Sequence, residues 1–461
     1  MAITSSLGIG SGLDINGIVN QLVEADGQPA FNAISRRESA VNSRLSALGR
    51  LKSALSDFRT ATGKLNEVGT FNKHTAVSSD KDTFTAKAEL GSAAGIYSLE
   101  VQQLAKAHKL VSAGYADSNA VVGSGALTLS VDGNAFTVSL DATNNTLEGV
   151  RDAINQANDN PGVQASIINV DDGAGGTVSK LVLTSQKTGS ANAINVTAVE
   201  DSSAPGLANL TYNPSGGVTN LTEVSAAQDA KIIVDGQTAT RSSNTINDVI
   251  QGVTLDLKKA NPGVSLNLDV TLDEGSIKEV ADGFVSAYNG LMSIVKDLGR
   301  YDPASKEAGA LLGDSTLRSV QSQVRQAVAE SVSSANGNYN SLAMIGITID
   351  RTGVMALDST KFSEALKTDT KSVSEVFSST DGVAARLDTR LDQYLQTGGT
   401  FDLQTSSLNK QLSNFSEERD KVQLRLDGLQ KQLMKQFIAM DITVGKFQST
   451  GAYLAQQLAK L

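Results

Sequence analysis

Residues able to do chemistry are few in this chain, and they are scattered. The only two histidines, His74 and His108, lie in unrelated stretches. A histidine pair could serve as a general acid and base or ligate a metal, but nothing near either one supplies a nucleophile or metal-ligand spacing. A packing or surface role is the better reading of both. Gly8-Ile9-Gly10-Ser11-Gly12 has the glycines of a phosphate cradle. No strand leads into it and no lysine follows, so it reads as a flexible tail. Asp171-Asp172-Gly173 could touch a cation, but the closing glutamate of a calcium loop is missing, and a plain turn accounts for it. With no cysteine in 461 residues, disulfides, thiolate metal sites and thiol nucleophiles are excluded. Carboxylates dot the helical stretches without a pocket signature. No catalytic residue, metal or cofactor is assigned, and a secreted hydrolase on a β-rich scaffold is the weakest of the readings considered.

The elements are more informative. From Leu408 to Leu461 the spacing alternates between four and three, through positions 408, 412, 415, 419, 422, 426, 429, 433, 437, 440, 444, 447, 451, 454, 458 and 461. All but Arg419 and Gly451 are apolar. That pattern predicts a helix with one narrow apolar seam, the mark of a coiled-coil strand. At 1.5 Å per residue it would run about 80 Å, too far to pack within one compact domain. The step from Leu433 to Phe437 is a stutter, two fours in a row.

The other terminus offers a partner seam. Ile34, Val41, Leu45, Leu48, Leu51, Leu55, Phe58 and Leu65 recur at threes, fours and sevens. Upstream, Ile15, Ile18, Val19, Leu22 and Val23 make one face of a shorter helix, with Asp14 as its N-cap. Gln28-Pro29 is expected to break or kink the chain between these stretches.

The middle is different. Alternating runs replace helical spacing from Phe71 to about Thr271. Two hairpins are predicted where Asp-Gly pairs separate such runs, at Asp132-Gly133 and Asp235-Gly236. Each is followed by a similar segment, Asn145 to Val150 and Asn244 to Val249, expected to be a short helix or turn. Helical spacing returns at Ile277, continues from Leu317 to Val332, and appears again around Phe362 to Leu366 and Val383 to Leu395. A short β-like piece, Gly346 to Asp350, lies between. The fold class is therefore α+β, multidomain and elongated, with terminal coiled-coil legs, a helical stem and two inserted β-rich heads. Expected boundaries are 1–40 with 405–461 for the legs and 41–75 with 277–404 for the stem. The first head is 76–117 with 222–276, and the outer head is 118–221.

Net charge narrows the partners. With 39 Lys+Arg against 49 Asp+Glu the formal charge is −10, which disfavours nucleic acid and anionic lipid. No membrane span or cleavable signal is visible. Chains that pass unfolded through a narrow export channel often lack cysteine as this one does.

Ordered motifs carry a resemblance along essentially the whole length. They begin with Gly10-Ser11-Gly12-Leu13-Asp14-Ile15, then Tyr97-Ser98-Leu99-Glu100-Val101 with Gln103-Leu104-Ala105. Arg151-Asp152-Ala153-Ile154-Asn155 and Gly162-Val163-Gln164-Ala165-Ser166 follow, then Ser242-Ser243-Asn244-Thr245-Ile246 with Gly252-Val253-Thr254-Leu255. Leu312-Gly313-Asp314-Ser315, Ile345-Gly346-Ile347-Thr348 with Leu357-Asp358, Gln436-Phe437 and Tyr453-Leu454 complete the set. In that order they resemble the bacterial flagellar cap proteins, also called hook-associated protein 2. The resemblance implies a non-enzymatic, secreted assembly factor at the flagellum tip, exported by the type III route with a dedicated chaperone. It implies a homo-oligomeric ring, by the family's usual description a pentamer, that retains flagellin and promotes its folding and insertion. It also implies legs that dock on the filament or on the hook–filament junction proteins.

On that reading Ile3, Leu7, Ile9, Leu13, Ile18 and Leu22 contact other chains, as do Phe447, Leu454, Leu458 and Leu461. The alternative for these positions is that they only pack the two terminal helices together. The alternative for the whole chain is a secreted adhesin that binds host glycan or mucin through its β-rich heads.

Overall fold

The computed structural model describes residues 11–67, 69–335 and 337–459. Its α-helices are α1 (Ile15–Lys64), α2 (Leu147–Gln156), α3 (Glu274–Gly299), α4 (Ser315–Ala329), α5 (Ser359–Ser378), α6 (Val383–Leu395) and α7 (Thr400–Leu458). The chain divides into two compact units, Met1–Phe71 with Glu274–Leu461, and Asn72–Asp273. The switch from helical to alternating spacing falls at the same two places.

The first unit is helical. Helix α1 packs on α3, α6 and α7. Its Leu48, Leu51, Leu55 and Phe58 are buried, a three-and-four spacing that turns one face inward. Ile277, Ala281, Phe284, Tyr288 and Leu291 of α3 are buried likewise. The Phe58 and Phe284 rings stack with centroids 5.6 Å apart. A two-stranded hairpin, Ile347–Ile349 with Met355–Leu357, is tied to α3 because Asn289 bonds both backbone groups of Met355 at 2.8 Å. The helix expected to reach Val332 stops at Ala329. There Arg386 takes over the carbonyls of Glu330 (2.8 Å) and Ser331 (3.2 Å), capping the end from α6.

Pro29 does not break the chain: α1 is one helix of 50 residues with Pro29 inside it. The lost hydrogen bond falls on an exposed turn, where Ala25, Gln28 and Pro29 all face outward. Gly27 and Ile34 on either side are buried and hold the axis. Asp14 caps the helix as expected, accepting from the Gly17 amide at 3.0 Å. Positions 40/41 and 404/405 lie inside α1 and α7, so no break in the chain marks them.

The second unit is antiparallel β structure around two cores. In the first, a sheet ordered His74–Ser78, Leu266–Leu272, Gly95–Gln103, Ala230–Val234, Gln237–Arg241 shares a core with a three-stranded sheet of Thr245–Ile250, Val253–Leu257 and Phe84–Ala88. Phe84, Leu99, Ile232, Leu255 and Leu268 are fully buried there. The second core lies among residues 110–221, where Leu127, Leu129, Leu147, Val150, Leu181 and Leu183 meet and α2 covers the strands.

Both predicted hairpins form. Gly125–Val131 pairs with Asn134–Leu140, and Ala230–Val234 with Gln237–Arg241. Asp132 (φ 51°) and Gly133 (φ 74°), like Asp235 (φ 48°) and Gly236 (φ 78°), occupy the left-handed region that a tight primed turn demands. The segments after them diverge. Thr146 caps α2, accepting from the Gly149 amide at 3.1 Å. After a bend at Asn244, Thr245–Ile250 is instead strand, since Ile246 and Ile250 point into the core and pair with Leu255 and Val253. Asn244 bonds the Ala105 backbone as a strand neighbour would, at 2.7 and 3.0 Å.

Candidate functional site

Helices α1 and α7 run antiparallel, as a ladder of side-chain pairs shows. Lys52 meets Asp402 at 2.8 Å and Arg37 meets Glu418 at 2.6 Å. Asp26 meets Arg425 and Asn20 meets Gln430, both at 2.8 Å. Ser11 bonds Asp441 at 2.7 Å through its amide and 2.5 Å through its hydroxyl. Such exposed pairs contribute little stability each, about 0.2–1 kcal/mol, but together they define the register. The seam supplies the adhesion. Leu426 sits against Gly27, where a side chain would lie 2.5 Å from the leucine methyl, so the glycine lets the two helices approach closely. Arg419, the polar step in the seam, reaches across to Glu38 (2.5 Å) and Ser35 (3.3 Å). The Arg37 guanidinium lies over the Phe415 ring, 4.9 Å from its centroid.

The seam then continues past its partner. Side-chain bonds to the α1 end stop at Asp441 among the described residues, and every residue from Lys446 to Ala459 is exposed. Helix α7 goes on for about 25 Å beyond that point. Phe447 is 73% exposed and Leu458 70%, with Tyr453 and Leu454 exposed between them. Ile442, 55% exposed, sits near the start of this stretch. Apolar side chains gathered so densely on one exposed helix mark a surface made to be covered.

Of the positions expected to meet other chains, Phe447, Leu454 and Leu458 lie in this stripe. Leu13 and Leu22 are exposed at the α1 end, and Ile18 is half-buried. Ile15 and Val19 turn inward instead, so the face expected for residues 15–23 is divided between core and surface. Ile3, Leu7, Ile9 and Leu461 lie outside the described residues, as do Gly8 to Gly10. Ile442 and Tyr453, with Leu424 higher on α7, fall off the four-and-three seam, and seam periodicity passes over them. A second helical stripe spaced 18 and 11 residues apart would have found them.

Of the polar groups singled out in the sequence, His108 and Asp172 take structural roles. His108 is buried in the second unit. Its Nδ1 accepts from the Ile194 amide at 2.9 Å, so the proton is on Nε2, which donates to Glu223 at 3.0 Å. Tyr212 packs beside it, and burial, then Glu223, pushes that phenol up. Asp172 accepts from the amides of Ala174 (2.7 Å) and Gly176 (2.9 Å), closing the turn between two strands; these bonds hold its carboxyl below the usual range. Among the described residues no helix is long and apolar enough to cross a membrane.

The chain has relatives among known proteins. Residues 11–108 match the family model for the flagellar hook-associated protein 2 N-terminus, and residues 227–449 match that for its C-terminus. Residues 126–187, in the second core, match the flagellin hook IN motif. The B-type flagellar hook-associated protein 2 of Pseudomonas aeruginosa is 34% identical over 94% of this chain and 92% of its own. That of Escherichia coli K12 is 33% identical over 99% of this chain and 98% of its own. The crystal structure of the Escherichia coli flagellar cap protein FliD, domains D1-D2-D3, superposes with a TM-score of 0.65 at 33% identity, covering 79% of this chain and 99% of that one. Sequence agrees along the length and fold over 79% of it: the chain belongs to the flagellar hook-associated protein 2 family.

Proposed function

We propose that copies of this chain cap the growing flagellar filament, retaining flagellin at the tip and promoting its folding and insertion. One observation carries the reading most directly: among the described residues the α7 seam runs on past its last bond to the α1 end and leaves an exposed apolar stripe. A cap must hold on yet step as each subunit is added. A long seam can engage equivalent seams at successive positions without one unique partner.

The interface in this reading is Leu13, Ile18, Leu22, Phe447, Leu454 and Leu458, with Ile3, Leu7, Ile9 and Leu461 at the same ends of the chain. A pentameric ring, docking on the hook–filament junction proteins, an export chaperone and type III secretion belong to it as well. It is the reading of an assembly factor, not an enzyme. A four-part division into legs, stem and two heads goes with it, supported by the two separate cores of residues 72–273. No relative described above is named for adhesion.

Leu458→Asp tests the docking role. Its side chain is exposed, so the fold of both units should stand while filament growth is lost. Filaments of normal length from cells carrying this variant would refute it.

A further inference from the structure

Charge is distributed unevenly between the two units. Residues 72–273 hold 12 Lys+Arg against 21 Asp+Glu, while the rest of the chain holds 27 against 28. Nearly all of the net negative charge therefore sits on the β unit. Residues 110–221, around the second core, carry 3 against 10.

The helical unit carries a feature of opposite sign. A groove of about 580 Å³ opens between the end of α3, the loop after it and α4. Lys296, Arg300, Arg318 and Arg325 line it, and all four are exposed. Tyr301 and Leu312 add exposed apolar surface at its rim. The one carboxylate in the lining, Asp314, is spent: it pairs with Arg44 at 2.6 Å and caps α4 through the Thr316 and Leu317 amides. Asp297 nearby pairs with Arg50 at 2.9 Å and Arg300 at 3.6 Å. Among the described residues Lys296, Arg318 and Arg325 have no carboxylate partner. Three cations without a carboxylate partner, set round an apolar rim, make a receptor for an acidic surface.

We propose that this groove receives the acidic β unit, residues 72–273, of a neighbouring copy of the chain. The proposal rests on the ring assembly above and names the contact that closes it. Like units repel or ignore each other, since one is acidic and the other near neutral, whereas groove to β unit is attractive and head-to-tail. Head-to-tail contacts are the kind that generate closed rings. Screening over about 8 Å at physiological salt makes the contact salt-sensitive.

A photo-activated benzophenone residue in place of Leu312 tests it, in an equal mixture of 15N-labelled and unlabelled full-length chain. Cross-links should join residue 312 of one copy to residues 72–273 of another, as mixed-isotope pairs. Arg318→Glu with Arg325→Glu should weaken self-association by native mass analysis at least about tenfold at 0.15 M salt, with the thermal melt unchanged. Links confined to one copy, links only to residues 1–71 or 274–461, or rings that tolerate the double reversal would each overturn the proposal. Links only to flagellin would assign the groove to that partner and overturn the occupant named here. Failure of the cap reading shows elsewhere, as normal filament growth in cells lacking the chain.

Discussion

Gly27→Ala should weaken the pairing of α1 and α7 although alanine is the better helix former. In an exposed helix interior the exchange gains about 1 kcal/mol. At Gly27 the new Cβ would lie 2.5 Å from Cδ1 of Leu426 and 3.4 Å from Phe31. Leu426 is 4% exposed and held in the seam, so the clash must be relieved by moving a packed side chain or a helix. Overpacking of this kind costs about 1–3 kcal/mol, leaving a net loss between nearly zero and about 2. Gly49 and Gly428, on the same two helices, have no neighbour within 4 Å of an added Cβ. Alanine at either should stabilise by about 0.5–1 kcal/mol. Combining Gly27→Ala with Leu426→Ala removes the clashing methyl, so the double variant should be less destabilised than the sum by about 1–3 kcal/mol. Helical circular dichroism in urea gives the global values, and amide exchange along residues 24–34 gives local opening. The packing argument fails if Gly27→Ala stabilises as much as Gly428→Ala, or if the double variant is additive.

Pro29→Ala restores an amide within a continuous helix and should stabilise α1 by up to about 3 kcal/mol, read in the same urea assay. His108→Phe strands the Ile194 amide and should cost the second unit about 1–3 kcal/mol in denaturation followed through its β signal. Asp381 accepts from Ser333 and Ser334, whose hydroxyls and amides hold its carboxyl far below the usual range. A depressed folded value means this contribution is complete above the ordinary carboxylate pKa of about 3.9 and fades only as pH falls well below it. Protection of the Ser333 and Ser334 amides should thus persist at pH 4, and Asp381→Asn should abolish it at neutral pH.

The most legible parts of this fold are those where one local rule acts alone. Asp132-Gly133 and Asp235-Gly236 announce their turns because few residues tolerate positive φ. The α7 seam announces a partner because a narrow apolar stripe cannot face water along 59 residues. Illegible parts are those where tertiary packing overrides a local preference. Pro29 is a helix breaker by rule, yet buried neighbours on both sides carry α1 through it. Asn244-Thr245 reads like Asn145-Thr146, but Ile246 and Ile250 have a sheet to enter. The basic groove was equally hidden: Lys296, Arg300, Arg318 and Arg325 come from two helices and the end of one of them, and only the fold shows which of their neighbours are already paired. Of the candidate site, the seam positions could be read and the off-seam Ile442 and Tyr453 could not.

The central claim is a place, the filament tip, and labelling tests it directly. Cells expressing the full chain with an epitope tag, decorated with gold-coupled antibody and viewed by electron microscopy, should carry label at the distal ends of filaments and nowhere along the shaft. Label spread over the cell surface or along filament sides, with bare tips, would contradict the account.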